Sequence, residues 1–406
     1  MTVYGQVATP HIRGPVRPSE RALAPDLARG FMLLFIAIAN CVGVVTASEP
    51  GLVLHPHGIE KPLNFALFAL VSSHAYPVFA IMFGYGLVQL YNRQKRSGAT
   101  PRQAKSVLLK RNAWLAVFGL AHGIFLYYGD FLGAYGIVGV VAAAVLLRRG
   151  DTFHRIIVWV WGFMLVEAVV VSMLAIAGIA SSGKGVTAHV TKIGSLNASS
   201  YTQAVLDRLG EWPAHTLDVV AFIMIVWLGM WAARRRILEE PRQHQRLLGW
   251  TAGVGLGVGI LGSIPQALVA ADALRVDKSA LDSISLMHNI TGMFTGPGYV
   301  ALFGLIAMWL SQRTATPTDG MITGSLSALG RRSLSGYLFQ SVVWVVLLSP
   351  YTFDLGHHVS SPLLLGIGLS TITWLVSVIG ASAMQHRGMV GPAEKVLRRL
   401  AYGPRA

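Results

Sequence analysis

Apolar positions along this chain come in long, nearly unbroken blocks. They do not recur every three or four residues, as they would on a soluble helix with one face in water. Ten blocks stand out, over 27–47, 62–91, 112–128, 131–147, 156–180, 216–233, 248–271, 290–310, 334–350 and 362–385. A helix needs roughly 20 apolar residues to cross about 30 Å of hydrocarbon. Only helices and closed barrels satisfy their backbone groups in lipid. Barrel strands are short and alternate in polarity, and these blocks do neither. The pattern predicts an all-α, polytopic integral membrane helix bundle with about ten transmembrane helices.

Three polar stretches set the organisation. Residues 1–26 carry prolines and charges but no apolar segment, and read as an arm leading into the first helix. TATPTDGMITGS (314–325) resembles a linker. It divides a bundle over 27–313, which carries the candidate chemistry, from a two-helix part with a basic tail over 314–406. Residues 181–215 are rich in Gly, Ser and Thr and long for a connection. They predict either a tether or a lid that meets a substrate.

Composition agrees with lipid as the solvent. The 406 residues are 53% hydrophobic and 13% charged, where soluble domains are nearer a quarter charged. The net charge of +15 suggests nucleic acid only until the charges are placed. With the N-terminus inside, only Lys61, Lys184, Lys192, Arg208, Arg275 and Lys278 of the 33 Lys and Arg fall in external loops. That bias predicts a multi-pass cell-membrane protein with both termini cytoplasmic. The basic loops 93–111 and 233–246 suit anionic membrane lipids. Without interleaved aromatics on a folded basic face, no nucleic-acid partner is expected. The sequence leaves open whether the chain forms a homodimer.

Several motifs carry less than they suggest. Cys41 is the only cysteine, so there is no internal disulfide. GVGLGVGILG (253–262) has the glycines of a phosphate loop but no strand before it, and reads as close helix packing. His55 and His57 lack a nearby third ligand, so no metal is expected.

Polar groups at membrane depth are more informative. His122 lies 11 residues beyond Arg111, about 17 Å deeper at 1.5 Å per residue. Asp130 stands at the outer turn between the third and fourth helices. Eight residues advance about 80° around a helix, so the two side chains should lean the same way without touching. Asp130 is also placed to cap the next helix. Asn40 lies near the outer end of the first helix, His74 in the second, and Glu167 mid-span in the fifth. A lone carboxylate at the bilayer centre costs on the order of 3 kcal/mol, so Glu167 should find a partner or a proton. Singly, each residue suits a structural role. Together, His122, Asp130 and Asn40 predict a water-accessible site, with the imidazole along a tunnel open at both faces.

RALAPDLARGFMLLFIAIAN (21–40), HAYPVFAIMFGYGL (74–87) and KRNAWLAVFGLAHGIFLYYGDFLGAYGIVGV (110–140) resemble, in order, the first three helices of YeiB-like proteins. ALGRRSLSGYLFQSVVW (328–344) and GPAEKVLRRLAYG (391–403) resemble the family-418 domain of unknown function. More distantly, the chain is similar to membrane acyltransferases that include heparan-α-glucosaminide N-acetyltransferase, whose first helix opens with Arg-Gly and ends with Asn, as at Arg29, Gly30 and Asn40. The resemblance implies transfer of an acyl group, such as acetyl, from cytoplasmic acyl-CoA to an extracytoplasmic glycan, lipid or secreted metabolite. Those enzymes use a histidine in the loop after the first helix. Here His55 and His57 stand in that loop at a different spacing.

Such chemistry needs a base for the acceptor's proton and donors for the oxyanion. His122 is the first candidate, with His74 and His57 as rivals. Asp130 would orient a histidine or hold the acceptor, and Asn40 would donate to the thioester oxygen. Arg29, Arg331 and Arg332 would hold CoA phosphates, or simply fix topology. The competing class is a transporter with midplane polar residues, but the inverted repeats common in transporters are not visible.

Overall fold

The computed structural model describes residues 22–49, 53–183, 190–313 and 320–403. Most of the arm over 1–26 and the first half of the linker over 314–325 lie outside these; the second half of that stretch is not a linker but helical from Met321. Sixteen helices occur among the described residues: α1 (Leu23–Thr46), α2 (Glu60–Leu70), α3 (Ala75–Arg96), α4 (Pro101–Phe125), α5 (Leu132–Val141), α6 (Asp151–Ser181), α7 (Gly194–Asn197), α8 (Tyr201–Val220), α9 (Ile223–Arg234), α10 (Gln245–Ala270), α11 (Lys278–Gly292), α12 (Thr295–Arg313), α13 (Met321–Gly330), α14 (Ser333–Leu348), α15 (Pro362–His386) and α16 (Pro392–Tyr402). The only strands described are β1 (Ser48–Glu49) and β2 (Thr191–Lys192), an antiparallel pair with Ser48 opposite Lys192. The protein is an all-α, polytopic helical membrane protein.

Each predicted block is helical, but some are broken. Among the described residues, α1, α2–α3, α6, α10, α11–α12 and α15 are long and apolar enough to cross a membrane, and α8–α9, bent by 45°, can make a seventh. The break between α2 and α3 falls at Val71–His74, where Ser73 has φ 61°. α5 and α14 are shorter, and α4 carries its charges in its first half. Local chemistry sets several starts. Thr100 and Gln103 close a capping box ahead of Pro101 at the first turn of α4. Ser361 caps α15 ahead of Pro362.

Lipid-facing surfaces are apolar, as the solvent requires. Trp159 and Phe163 of α6 are 81% and 71% exposed. α8 has its polar face inward: Arg208 and Thr216 are buried, while Leu206, Leu209 and Leu217 point out. α8 begins at Tyr201, within the stretch expected to be a connection. Its Arg, Glu, Asp and His residues suggest a loop only if polar side chains must face water. The described part of 181–215 is pinned down: β2 pairs with the strand that follows α1, and Asn197 donates to the Ala47 and Ile193 carbonyls. It is not a loose tether.

The core is built around α1, which packs against α3, α12, α13, α14 and α15. α1 and α13 meet backbone to backbone. A Cβ on Gly30 would lie 2.1 Å from the Leu326 carbonyl oxygen, and one on Gly330 would lie 1.9 Å from that of Asp26. The Arg-Gly entry of α1 and the Gly-Arg motif after α13, read from opposite ends of the sequence, therefore touch. The described residues of the C-terminal part hold four helices, α13 to α16, where two were expected, and α13, α14 and α15 pack directly on α1.

Candidate functional site

α4 ends at Phe125, and the chain turns back through Tyr127 and Tyr128 before α5. This reversal brings Asp130 onto His122, correcting the expectation that they lie apart. His122 Nδ1 is 2.8 Å from Asp130 Oδ1, and both side chains are buried. The continuous-helix geometry behind that expectation fails because residues 126–131 are not helical. The capping role also holds: Asp130 accepts the Leu132 N–H at 3.1 Å and the Gly133 N–H at 2.6 Å.

On its other side, His122 Nε2 is 2.8 Å from Ser341 Oγ of α14. Backbone N–H groups only donate, so both Asp130 oxygens act as acceptors. This network assigns Nδ1–H as the donor to Asp130 and leaves Nε2 to accept from the serine hydroxyl. The result is a buried Asp–His–Ser chain, the arrangement that orients and activates a hydroxyl in unrelated hydrolases. Ser341 escaped the sequence reading, although ALGRRSLSGYLFQSVVW contains it. The available signal was Gln340-Ser341, a polar pair inside an apolar helix. In lipid such residues are read for their partners, and a partner on α4 is not visible from sequence.

A cavity of about 260 Å³ approaches this chain from the end of the bundle that carries the basic loops. Arg29, Arg111, Arg331 and Arg398 line its polar end, and Phe79, Phe83, Leu115, Phe131, Tyr135 and Tyr337 its apolar interior. Tyr337 lies between cavity and imidazole, its ring centroid 5.0 Å from that of His122. His122 is 2% exposed and does not line the cavity. The open tunnel expected from sequence is instead a pocket that stops at an aromatic ring.

The other candidates divide. Arg29 lines the cavity and donates to the Met82 carbonyl at 2.8 Å. Arg331 lines it and bonds Gln385. Arg332 does not: it is buried and donates to the Ala328 and Met389 carbonyls, tying the α13–α14 turn to the chain before α16. Glu394 of α16 accepts the Leu334 and Ser335 N–H groups, which places a carboxylate at the N-terminus of α14. His74 belongs to another cluster, where it and His288 share Ser263 Oγ at 3.2 and 2.9 Å. Asn40 is half-buried on α1 and does not line the cavity. His55 and His57 are exposed.

Glu167 does not reach into the bundle. It is exposed on α6, among the lipid-facing side chains, and forms no ion pair among the described residues. α6 buries only a narrow stripe, and Glu167 is off it. Glu167→Leu should therefore leave folded yield unchanged or raise it, by up to about 3 kcal/mol in insertion free energy. A drop in the thermal midpoint of the purified variant would show that an internal partner had been lost.

α8 closes the opposite side of the site. A Cβ on Gly123 would lie 1.9 Å from Trp212 Cδ1, so the indole sits directly against the helix turn that carries His122. His215 stands edge-on to Phe131 at 5.3 Å.

Fold and site together define a polytopic membrane protein with a buried carboxylate–imidazole–hydroxyl chain above a basic-rimmed cavity. Residues 232–404 match the family described as "Protein of unknown function (DUF418)". The chain is 23% identical to "Uncharacterized protein YxaH" of Bacillus subtilis (strain 168), with 96% of each covered. It is 22% identical to "Uncharacterized protein YeiB" of Escherichia coli (strain K12), covering 95% of this chain and 98% of that one. It is 20% identical to an "Uncharacterized 39.9 kDa protein in amylase 3'region" of Bacillus acidopullulyticus, with 96% of each covered. The chain thus carries a DUF418 region over 232–404 and is similar to YeiB along nearly its whole length. Ser341, Tyr337 and Arg331 lie inside that region, whereas His122 and Asp130 precede it, so the site is assembled across its boundary.

Proposed function

We propose that the protein is an acyltransferase of the cell membrane, which takes an acyl group, such as acetyl, from cytoplasmic acyl-CoA. The acceptor is a hydroxyl or amine of an extracytoplasmic glycan, lipid or metabolite. The observation that carries this reading is the Asp130–His122–Ser341 chain, which Tyr337 separates from a cavity whose polar end holds four arginines together with Asp26 and Glu394. A CoA thioester has matching polarity: phosphates at one end and a slender, largely uncharged arm reaching the reactive carbonyl. From Ser333 at the rim to Ser341 is eight residues of α14, about 12 Å, which an extended pantetheine arm can span. His122 serves as base, and Asp130 fixes its tautomer. Guanidinium groups suit phosphate through charge-assisted, paired hydrogen bonds. Acyl-CoA is the donor substrate, and the roles described need no metal.

Acetyl-CoA should raise the thermal midpoint of the detergent-purified protein. The double substitution Arg331→Gln, Arg398→Gln should weaken that binding at least about tenfold, since each charged hydrogen bond is worth roughly 1.5–3 kcal/mol. If CoA and its thioesters give no shift while a small solute does, the cavity belongs to a transporter.

A further inference from the structure

We infer that Ser341 is a nucleophile that carries the acyl group as a covalent ester between donor and acceptor. The inference rests on the acyl-transfer reading and deepens it. A base acting directly on the acceptor needs no serine.

The first observation is what the hydroxyl does not bond. Among the described residues, several serines inside apolar helices turn back onto their own helix. Ser172, Ser263, Ser370 and Ser377 each donate to the carbonyl four residues earlier, at 2.6–2.9 Å. This is the ordinary resting state of a serine in an apolar helix. Ser341 lies in a regular part of α14 with the Tyr337 carbonyl four residues back, yet among the described residues it bonds His122 Nε2, at 2.8 Å. With Nδ1–H committed to Asp130, Nε2 is the acceptor and the Ser341 hydroxyl is placed to donate to it.

The second observation is that the base is committed. Asp130 holds Nδ1, and the two backbone N–H groups hold Asp130, so the Nε2 lone pair is directed at Ser341. Nucleophile, base and orienting group are the three parts of an activated serine. All three are buried, which excludes the water that would hydrolyse an ester.

The third observation is access. Tyr337 lines the cavity one helical turn before Ser341 and packs on the imidazole. A thioester advancing up the cavity meets Tyr337 first, and rotation of that ring exposes Ser341. In the first half-reaction the Oγ–C bond forms and the C–S bond breaks. His122 Nε2 takes the hydroxyl proton and gives it to the departing thiolate, so free CoA leaves. In the second, the acceptor's oxygen or nitrogen attacks the ester carbonyl and gives its proton to His122. That proton returns to Ser341 Oγ as the ester C–O bond breaks.

The test uses the full chain in detergent with acetyl-CoA and no acceptor. The expected result is a burst of free CoA approaching one per chain, and an acetyl mass increment on the peptide containing Ser341. Ser341→Ala should lose both while keeping its acetyl-CoA thermal shift. Ser341→Cys should restore a hydroxylamine-labile adduct. An alkyl fluorophosphonate, which needs no CoA site, should label Ser341 in the wild type and not in His122→Gln. Acyl transfer at the wild-type rate by Ser341→Ala, or an increment on His122 instead, would overturn the inference and leave the acyltransferase reading standing. Fluorophosphonate labelling of Ser341 without any binding of CoA thioesters would uphold the nucleophile and overturn the choice of donor.

Discussion

His122→Gln should reduce acyl transfer by at least about a thousandfold while leaving the protein folded. A positioned general base is worth roughly 10²–10⁴ in rate, and removing the base of a triad disables its nucleophile as well. Glutamine distinguishes this from loss of structure. Its amide can still donate toward Asp130 and accept from Ser341, so neither buried partner need be abandoned, but it cannot take up a proton at neutral pH. His122→Ala should lose the same activity with an added stability cost of about 2–3 kcal/mol, for the contacts removed and the polar partners left behind. Acetyl-CoA binding should survive both changes, because the arginines at the cavity rim are untouched. The paired measurement is transfer rate against acetyl-CoA thermal shift. Near-normal transfer by His122→Gln would move the base elsewhere, and the His74–Ser263–His288 cluster is the next place to look.

The parts of this site legible in sequence were those whose signal is local. FGLAHGIFLYYGD places a histidine and an aspartate where lipid rejects both, and that alone singled them out. Asp130 could be read as a cap because a cap depends on the next three residues. Two things were hidden. The contact between His122 and Asp130 depends on where α4 stops, and the apolar run GIFLYYG has no proline or charge to mark the stop. Ser341 lies 219 residues from His122, and one serine in an apolar helix looks the same whether it bonds its own backbone or another helix. The misreadings share one cause. By charge alone, Arg332 reads as a phosphate ligand or a topology anchor, and Glu167 as needing an internal partner or a proton. The fold uses Arg332 to tie two carbonyls and leaves Glu167 on the outer face of α6. The start of α8 failed for the reverse reason: a helix with its polar face inward resembles a loop until lipid is taken as the solvent.

Gly119→Ala should be among the most damaging single methyl additions in the chain, abolishing transfer and sharply lowering the thermal midpoint. A Cβ there would lie 1.8 Å from the Gly133 nitrogen, 2.2 Å from its Cα and 2.5 Å from Asp130 Oδ2. Two of these atoms are backbone, so no side chain can swing aside. α4 and α5 must separate, and the Gly133 N–H is one of the two backbone donors that hold the Asp130 carboxylate. Overpacking a core usually costs about 1–3 kcal/mol. Here the strain falls on a helix crossing and on a buried hydrogen-bond network together, which puts the cost above that range. Gly162→Ala on α6 is the matched control, since a Cβ there meets nothing within 4 Å and alanine favours the helix by about 1 kcal/mol. Thermal unfolding of both variants in one detergent, with acetyl transfer measured on the folded fraction, separates the two costs. Folded Gly119→Ala that still transfers at the normal rate would mean that the Asp130–His122 contact can be displaced without consequence, and His122 would lose its orienting carboxylate as an explanation of activity.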